Sequence, residues 1–295
     1  MTQQQTVGLI GVGLMGHGIA LNIMRGGYPL CYLHHDGNQR TDDLVGATAH
    51  NALEALCAQA DIIILCVTGS PQVRDIVLGE GGLIGHLSAG KTLIDCSTSQ
   101  PDETRAMAAA VLATGAAFLD APMTRTPKEA AEGRLNLLVG GAPDTLDAHR
   151  NLLTCFAENI THVGQAPGDG HAAKLLHNFV SLGFAALLGE AYAAAQKSGI
   201  DSEALTAVLE AGGGKSVALA RMAPYAASGD VSAMQFTIAN AAKDTGYYAD
   251  YAGKIGASAQ IAGAIAGLFT NATDEGAGVK MVPELITLLA ESKRK

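Results

Sequence analysis

The chain has 295 residues, 48% hydrophobic and only 16% charged, with 36 glycines and a net charge of −9. That length allows two domains with a substantial core, and the acidic balance excludes the broad basic surface that nucleic acid or an anionic membrane requires. So few charges among long alanine runs call for helices buried on more than one side, as in a homodimer or homotetramer.

Val7-Gly-Leu-Ile10 is an apolar run ending at Gly11, and helical apolar periodicity follows from Leu14 to Met24: strand, tight turn, helix. Further strands are expected at Pro29–Leu33, Asp61–Val67, Lys91–Asp95, Ala116–Asp120 and Leu135–Val139. Helical stretches lie between them around 51–59, 71–78 and 101–114. Continuous apolar strands alternating with helices imply a parallel sheet covered on both faces. The strand pattern stops near Val163, and after Gln165-Ala-Pro-Gly168 the chain reads as helical almost to its end. A long helix from about His171 to Ser198 comes first, then shorter ones broken at Gly212–Gly214, Pro224 and Gly276–Gly278. Ile255–Thr270, the longest weakly polar stretch, is too short for a membrane span and reads as a core helix.

Cys31, Cys57, Cys66, Cys96 and Cys155 form no C-x-x-C pair, and several sit inside apolar runs. They read as reduced thiols of a cytoplasmic protein. Residues 1–6 carry neither the charged nor the apolar segment of a signal peptide.

Gly11-Val-Gly13-Leu-Met-Gly16 has the dinucleotide spacing in its required context, strand before and helix after. Gly11 makes the turn, Gly13 lets the backbone approach a pyrophosphate, and Gly16 lets the helix pack close to the sheet. The expected architecture is therefore α/β: a Rossmann-type doubly wound sheet over 1–165, followed by an all-α substrate and dimerisation domain over 166–295 that opens with a long interdomain helix. An acid at the end of the second strand suits NAD, whereas basic residues there suit the 2′-phosphate of NADP. His34 and His35 occupy that corner and Arg40 follows, so NADP is preferred; Asp36 serves NAD if the strand runs further.

Lys174 and Asn178 stand one turn apart on an Ala-rich apolar helix and share a face. A lysine there is either functional or snorkels to the surface. During hydride transfer between a dinucleotide and a carbonyl, charge develops on the oxygen, which an ammonium stabilises and can protonate. Gly212-Gly-Gly-Lys215-Ser216 looks like the tail of a phosphate loop, but Leu209 stands where glycine is needed and no strand precedes it. No metal site is expected, because the nine histidines lack ligand spacing.

Six blocks in order resemble the beta-hydroxyacid dehydrogenase family, which includes 3-hydroxyisobutyrate dehydrogenases and tartronate semialdehyde reductases. They are Gly8–Gly16; Asp95-Cys-Ser-Thr98; Asp120-Ala-Pro122 with Glu132-Gly133; Val139-Gly-Gly141; Gly168-x-Gly170 with Lys174 and Asn178; and Phe236-x-Ile238 with Lys243-Asp244. The resemblance implies an NAD(P)-dependent enzyme that interconverts a short 3-hydroxy acid and its semialdehyde. It makes Lys174 the catalytic residue and Asn178 its substrate-holding partner. It puts Thr98 near the nicotinamide, Leu14 and Met15 at the pyrophosphate, Val67 beside the adenosine ribose, and Lys243 on the cofactor.

Where the family usually has Val-Ser-Gly-Gly, this chain has Met123-Thr124-Arg125-Thr126. Thr124, Arg125 and Thr126 are the expected contacts of the substrate's anionic group, and the Arg-Thr pair resembles a branch reducing sulfonated aldehydes. The alternative for Arg125 is a bridge to a surface acid such as Glu129 or Glu132. His177, where relatives often carry asparagine, either touches the substrate or packs in the core, and His171 reads as structural. Imine reductases share the fold but typically lack the lysine. A non-catalytic NADP(H)-binding module is the remaining alternative.

Overall fold

The computed structural model describes residues 4–37 and 41–292. The chain divides into two compact units, 1–174 and 175–295. The division falls inside one continuous helix.

The first unit is built on nine strands: β1 (Val7–Ile10), β2 (Leu30–Leu33), β3 (Thr48–His50), β4 (Ile62–Leu65), β5 (Thr92–Asp95), β6 (Ala117–Asp120), β7 (Met123–Thr124), β8 (Leu135–Gly141) and β9 (Ala157–Gly164). Its helices are α1 (Leu14–Arg25), α2 (Leu53–Gln59), α3 (Ser70–Leu78), α4 (Pro101–Ala113), α5 (Pro127–Ala131) and α6 (Pro143–Leu153). The strand order β3-β2-β1-β4-β5-β6 is parallel throughout and reverses direction of growth between β1 and β4. In such doubly wound sheets ligands bind beyond the strands' carboxyl ends at that reversal.

Burial explains the continuous apolar runs. Ile62 and Ile64 enter one core with Ile19 and Ile23 of α1 and Leu146 and Leu152 of α6. Ile63 and Leu65 enter the opposite core with Leu56 of α2, Val73 of α3 and Val111 of α4. Each strand therefore needs apolar residues at successive positions.

The sheet is not wholly parallel as expected from the sequence. β8 pairs antiparallel with the ends of both β6 and β7, and parallel with β9. β6 and β7 form one outgoing run broken at Pro122, and β8 returns along it, which needs only a short connection through α5. Strands β3 and β9 also escaped the sequence reading. Most of their residues are exposed or half-buried, so neither presents an apolar run.

The long helix α7 (Asp169–Ser198) starts in the first unit and continues into the second, which adds α8 (Ser202–Ala211), α9 (Val217–Ser228), α10 (Ile238–Lys254), α11 (Gln260–Ala272) and α12 (Leu285–Glu291). By length and composition α7 could cross a membrane, but 50% of its most apolar stretch is buried within the chain, as in a domain's core helix. Leu182, Ala185 and Tyr192 of α7 pack with Leu219, Met222, Ile238, Phe269 and Leu285. Phe179 stacks on Tyr248 at 4.2 Å between centroids.

Two expected boundaries shift. Pro224 lies inside α9 instead of breaking it, because burial of Leu219 and Met222 holds the segment helical. Residues 255–259 connect α10 to α11, so the core helix begins only at Gln260. The break at Gly276 falls where expected, with φ of 89°.

Candidate active site

The glycine turn is closed on its protein side and open on the other. A Cβ on Gly11 (φ +100°) would lie 2.2 Å from the Cys66 carbonyl oxygen, and one on Gly16 would lie 1.9 Å from that of Gly11. A Cβ on Gly13 would meet nothing within 4 Å. Gly13 is also the N-cap of α1, and no side chain caps that helix. Leu14 is exposed and Met15 packs against the core below. An open, uncapped helix N-terminus at the carboxyl end of β1 fits a pyrophosphate.

At the neighbouring corner β2 ends at Leu33, before Asp36. His34 and His35 follow in exposed positions, and His34 Nε2 lies 3.3 Å from Asp36 Oδ1. Arg40 lies outside the described residues. The returning chain is tied to the first turn of α1 by His17 Nε2 and Asp43 Oδ1 at 2.7 Å. That bond holds the Asp43 carboxyl below the usual carboxylate range. Neither residue was singled out in the sequence, since their separation gives no local signal.

Half-buried Val67 follows β4, and its N–H donates to Ser97 Oγ at 3.1 Å. Half-buried Thr98 comes next after Ser97, at the end of β5. The ends of β4 and β5 are thus laced together beside the reversal point of the sheet.

Below them is a buried polar array. Asp120, at the end of β6, accepts the N–H of Gly168 and of His171 through its two oxygens, each at 2.8 Å. It thereby caps the start of α7 from across the sheet. His171, fully buried, has Nε2 3.2 Å from the Ser97 carbonyl and Nδ1 2.9 Å from Thr104 Oγ1. Burial pushes the Asp95 carboxyl up, while His171 and the Ser97 N–H draw it down. Lys174, half-buried, stands three residues further along α7.

The expected anion-binding stretch is differently disposed. Thr124 is buried and its Oγ1 accepts from Asn136 Nδ2 at 3.0 Å. Arg125 has φ of 83°, the one non-glycine with positive φ among the described residues. Its guanidinium donates to the Arg134 carbonyl and to Glu158, not to Glu129 or Glu132. Arg125 holds the Glu158 carboxyl below its ordinary range. Thr126 forms the N-cap of α5 in a capping box with Glu129. The hydroxyl expected to meet a substrate is thus committed to a helix terminus.

In the second unit Asn178, Lys243 and Asp244 come together. Asn178 Nδ2 and Lys243 Nζ each donate to the buried Asp244 carboxylate at 2.6 Å. His177 Nδ1 is 3.0 Å from Asn178 Oδ1, which favours a polar role over a packed core position. Lys243 Nζ lies 5.1 Å from the Tyr247 ring centroid. In the sequence Asp244 stands out only as Lys243's neighbour. Its signal was available: residues 241, 244, 245, 248 and 252 form the buried stripe of α10, and a carboxylate on such a stripe needs partners. Ser216, in the phosphate-loop lookalike, simply caps α9 by accepting from Leu219 N–H. Among the described residues no group of three or more His, Cys, Asp or Glu could hold a metal ion.

Two family models match in succession. The NAD-binding domain of 6-phosphogluconate dehydrogenase matches residues 6–164, and the NAD-binding model of NADP-dependent 3-hydroxyisobutyrate dehydrogenase matches residues 168–289. The NAD-dependent L-serine dehydrogenase of Pseudomonas aeruginosa is 31% identical over 221 residues, 74% of this chain and 74% of that protein. Mouse mitochondrial 3-hydroxyisobutyrate dehydrogenase is 31% identical over 217 residues, 73% of this chain but 64% of that protein. In fold, the chain matches the crystal structure of 3-hydroxyisobutyrate dehydrogenase from Salmonella typhimurium with a TM-score of 0.86 at 24% identity, covering 97% of this chain and 100% of that one. The chain belongs to the beta-hydroxyacid dehydrogenase family. It is an NAD(P)-dependent oxidoreductase acting on a CH–OH group.

Proposed function

We propose that this enzyme interconverts a short 3-hydroxy acid, of the 3-hydroxyisobutyrate type, and its semialdehyde, with NADP preferred over NAD. The observation that carries this is the anchoring of the first turn of α7 to the carboxyl ends of β5 and β6. That edge is where doubly wound sheets bind ligands, and Lys174 follows one turn later.

When bound, the nicotinamide takes or gives the hydride. Lys174 removes the hydroxyl proton in oxidation, and in reduction stabilises the developing oxyanion and returns the proton. Asn178, oriented by Asp244 and His177, holds the substrate with its amide. Gly11, Gly13, Leu14, Met15 and Gly16 hold the pyrophosphate, Val67 and Thr98 border the ribose and nicotinamide, and Lys243 contacts the cofactor. His34 and His35 support NADP, since β2 stops short of Asp36 and Asp36 is drawn to His34. One relative, the P. aeruginosa L-serine dehydrogenase, is NAD-dependent.

A second substrate reading, a sulfonated aldehyde, draws on Arg125. Left-handed backbone at a non-glycine residue costs about 1–3 kcal/mol and is concentrated at functional positions. For Arg125 to grip a sulfonate it must leave Glu158, and Thr124 is the hydroxyl beside it. Assay of 3-hydroxyisobutyrate, L-serine and 2,3-dihydroxypropane-1-sulfonate with NADP⁺ and NAD⁺ decides. We expect 3-hydroxyisobutyrate with NADP⁺ to lead in kcat/KM by at least about tenfold, a difference of about 1.4 kcal/mol in barrier. A sulfonate or NAD⁺ lead contradicts the corresponding half of the proposal.

We also infer a cytoplasmic homodimer or homotetramer. All five cysteines are free thiols. Leu176, Val180, Phe184 and Leu187 form an exposed apolar stripe at helical spacing along α7, suited to a second copy.

A further inference from the structure

The sequence blocks Asp120-Ala-Pro, Val139-Gly-Gly and Gly168-x-Gly170 form three walls of one socket. A Cβ on Gly140 would lie 2.5 Å from Gly170 N and 2.7 Å from Asp120 Oδ1. One on Gly170 would lie 2.4 Å from the Leu138 carbonyl oxygen and 2.8 Å from that of Asp120. The first turn of α7 therefore packs its backbone directly against the ends of β6 and β8, beside the Asp120 carboxylate.

His171 projects from that turn into an enclosed polar space. Its Nε2 lies 3.8 Å from Asp95 Oδ2, its Nδ1 lies 3.5 Å from Asp120 Oδ2, and all three side chains are fully buried. A carbonyl only accepts, so Nε2 carries a hydrogen and donates it to Ser97. Nδ1 meets Thr104 Oγ1, which also lies 3.1 Å from the Gln100 carbonyl on the preceding turn of chain. One imidazole thus links α7 to the Ser97–Thr98 turn on one side and to α4 on the other. All three side chains are fully buried, so a hydrogen-bond partner lost here is not replaced by solvent.

We propose that His171 is a positioning residue: held between Asp95 and Asp120, it fixes the distance between the Lys174 amine and the Ser97–Thr98 turn, and so between the proton-transfer group and the hydride-bearing end of the cofactor. This rests on Lys174 and Thr98 having the roles proposed above. A small displacement of a reacting group is enough to slow the reaction severely, and buried supporting shells are how sites resist it.

The test uses the full-length enzyme with NADP⁺ and the best substrate of the panel above, with active sites counted by cofactor titration. His171→Gln keeps an amide N–H near the place of Nε2; His171→Asn keeps one near Nδ1 but loses the reach to Ser97. We expect His171→Asn to lower kcat per cofactor-competent site about 10²-fold while cofactor affinity changes by less than about twofold. The primary deuterium isotope effect on kcat should rise as hydride transfer becomes limiting, and His171→Gln should recover turnover to within about fivefold of the parent. In a Lys174→Ala background, His171→Asn should add less than about a further twofold, because both act through one group.

A merely structural histidine would lower the fraction of competent sites and leave their turnover and isotope effect unchanged, which overturns the proposal. Fully additive losses in the double variant overturn it too. If Lys174→Ala is slow but His171→Asn is not, His171 has no positioning role and the Lys174 reading stands. If Lys174→Ala retains full turnover, the Lys174 reading fails first and takes the proposal with it. Thr104→Val severs the same link from α4 and is the variant to read if His171→Asn does not fold; a loss of about tenfold in kcat with unchanged cofactor affinity supports the proposal, and unchanged kcat overturns it.

Discussion

The first unit's polar array and the second unit's cluster solve the same problem differently. Asp95, Asp120 and His171 have no exposed surface at all, and the backbone N–H of Ser97 donates to Asp95 while those of Gly168 and His171 donate to Asp120. Around Asp244 the carboxylate is equally buried, but its partners are side chains, and the Lys243 side chain remains 22% exposed. The first arrangement locks backbone to backbone and leaves nothing to adjust. The second holds two side chains at one anchor, so each can exchange a protein partner for a ligand without unfolding anything. Rigid mounting suits a proton-transfer group, and adjustable anchoring suits groups that must receive and release substrate and cofactor.

The sharpest way to break that contrast is Asp244→Asn. It removes the charge that Lys243 pairs with and leaves the Asn178 amide facing another amide. We expect kcat/KM to fall about tenfold or more, with a loss of about 1–3 kcal/mol in urea unfolding for an impaired buried hydrogen-bond site. Activity equal to the parent enzyme's would show that the cluster orients nothing.

A smaller effect tests rigidity in the first unit away from catalysis. His149 on α6 is buried, with Nε2 2.9 Å from Thr92 Oγ1 and no hydrogen-bond partner at Nδ1. Burial holds its pKa below the ordinary value, so the folded protein binds fewer protons here than the unfolded chain. The stability it contributes is therefore fully present above about pH 6.5 and is lost as the pH falls below that. Urea midpoints should drop between pH 7.5 and 5.5, and His149→Gln should shrink the drop. An identical slope in the variant would place the acid sensitivity elsewhere.

Much of this fold is legible in the sequence. β1, β2, β4, β5 and β6 are continuous apolar runs because helices cover both sides of the sheet, and the glycine turn sits in its required context. The antiparallel return of β8 and the exposed edge strand β9 were not legible, since neither alters the apolar pattern in a recognisable way. The Arg125 partner was missed for the same reason: Glu158 lies 33 residues away on that unread edge strand. Thr126 is a different lesson. Thr126-Pro-Lys-Glu129 is a capping-box sequence in its own right, and reading it only as an anion site overlooked the helix it starts. Asp120 was visible as part of a motif, but its task of capping α7 joins residues about fifty positions apart, and no spacing along the chain announces that.

The proposed reaction requires the Lys174 amine to carry the proton while the hydride belongs to the dinucleotide. Steady-state turnover of Lys174→Ala, measured beside its NADP affinity, tests this most directly. We expect turnover to fall on the order of 10²-fold or more with cofactor binding nearly unchanged. A loss of less than about threefold in turnover, with the cofactor still bound, would contradict it.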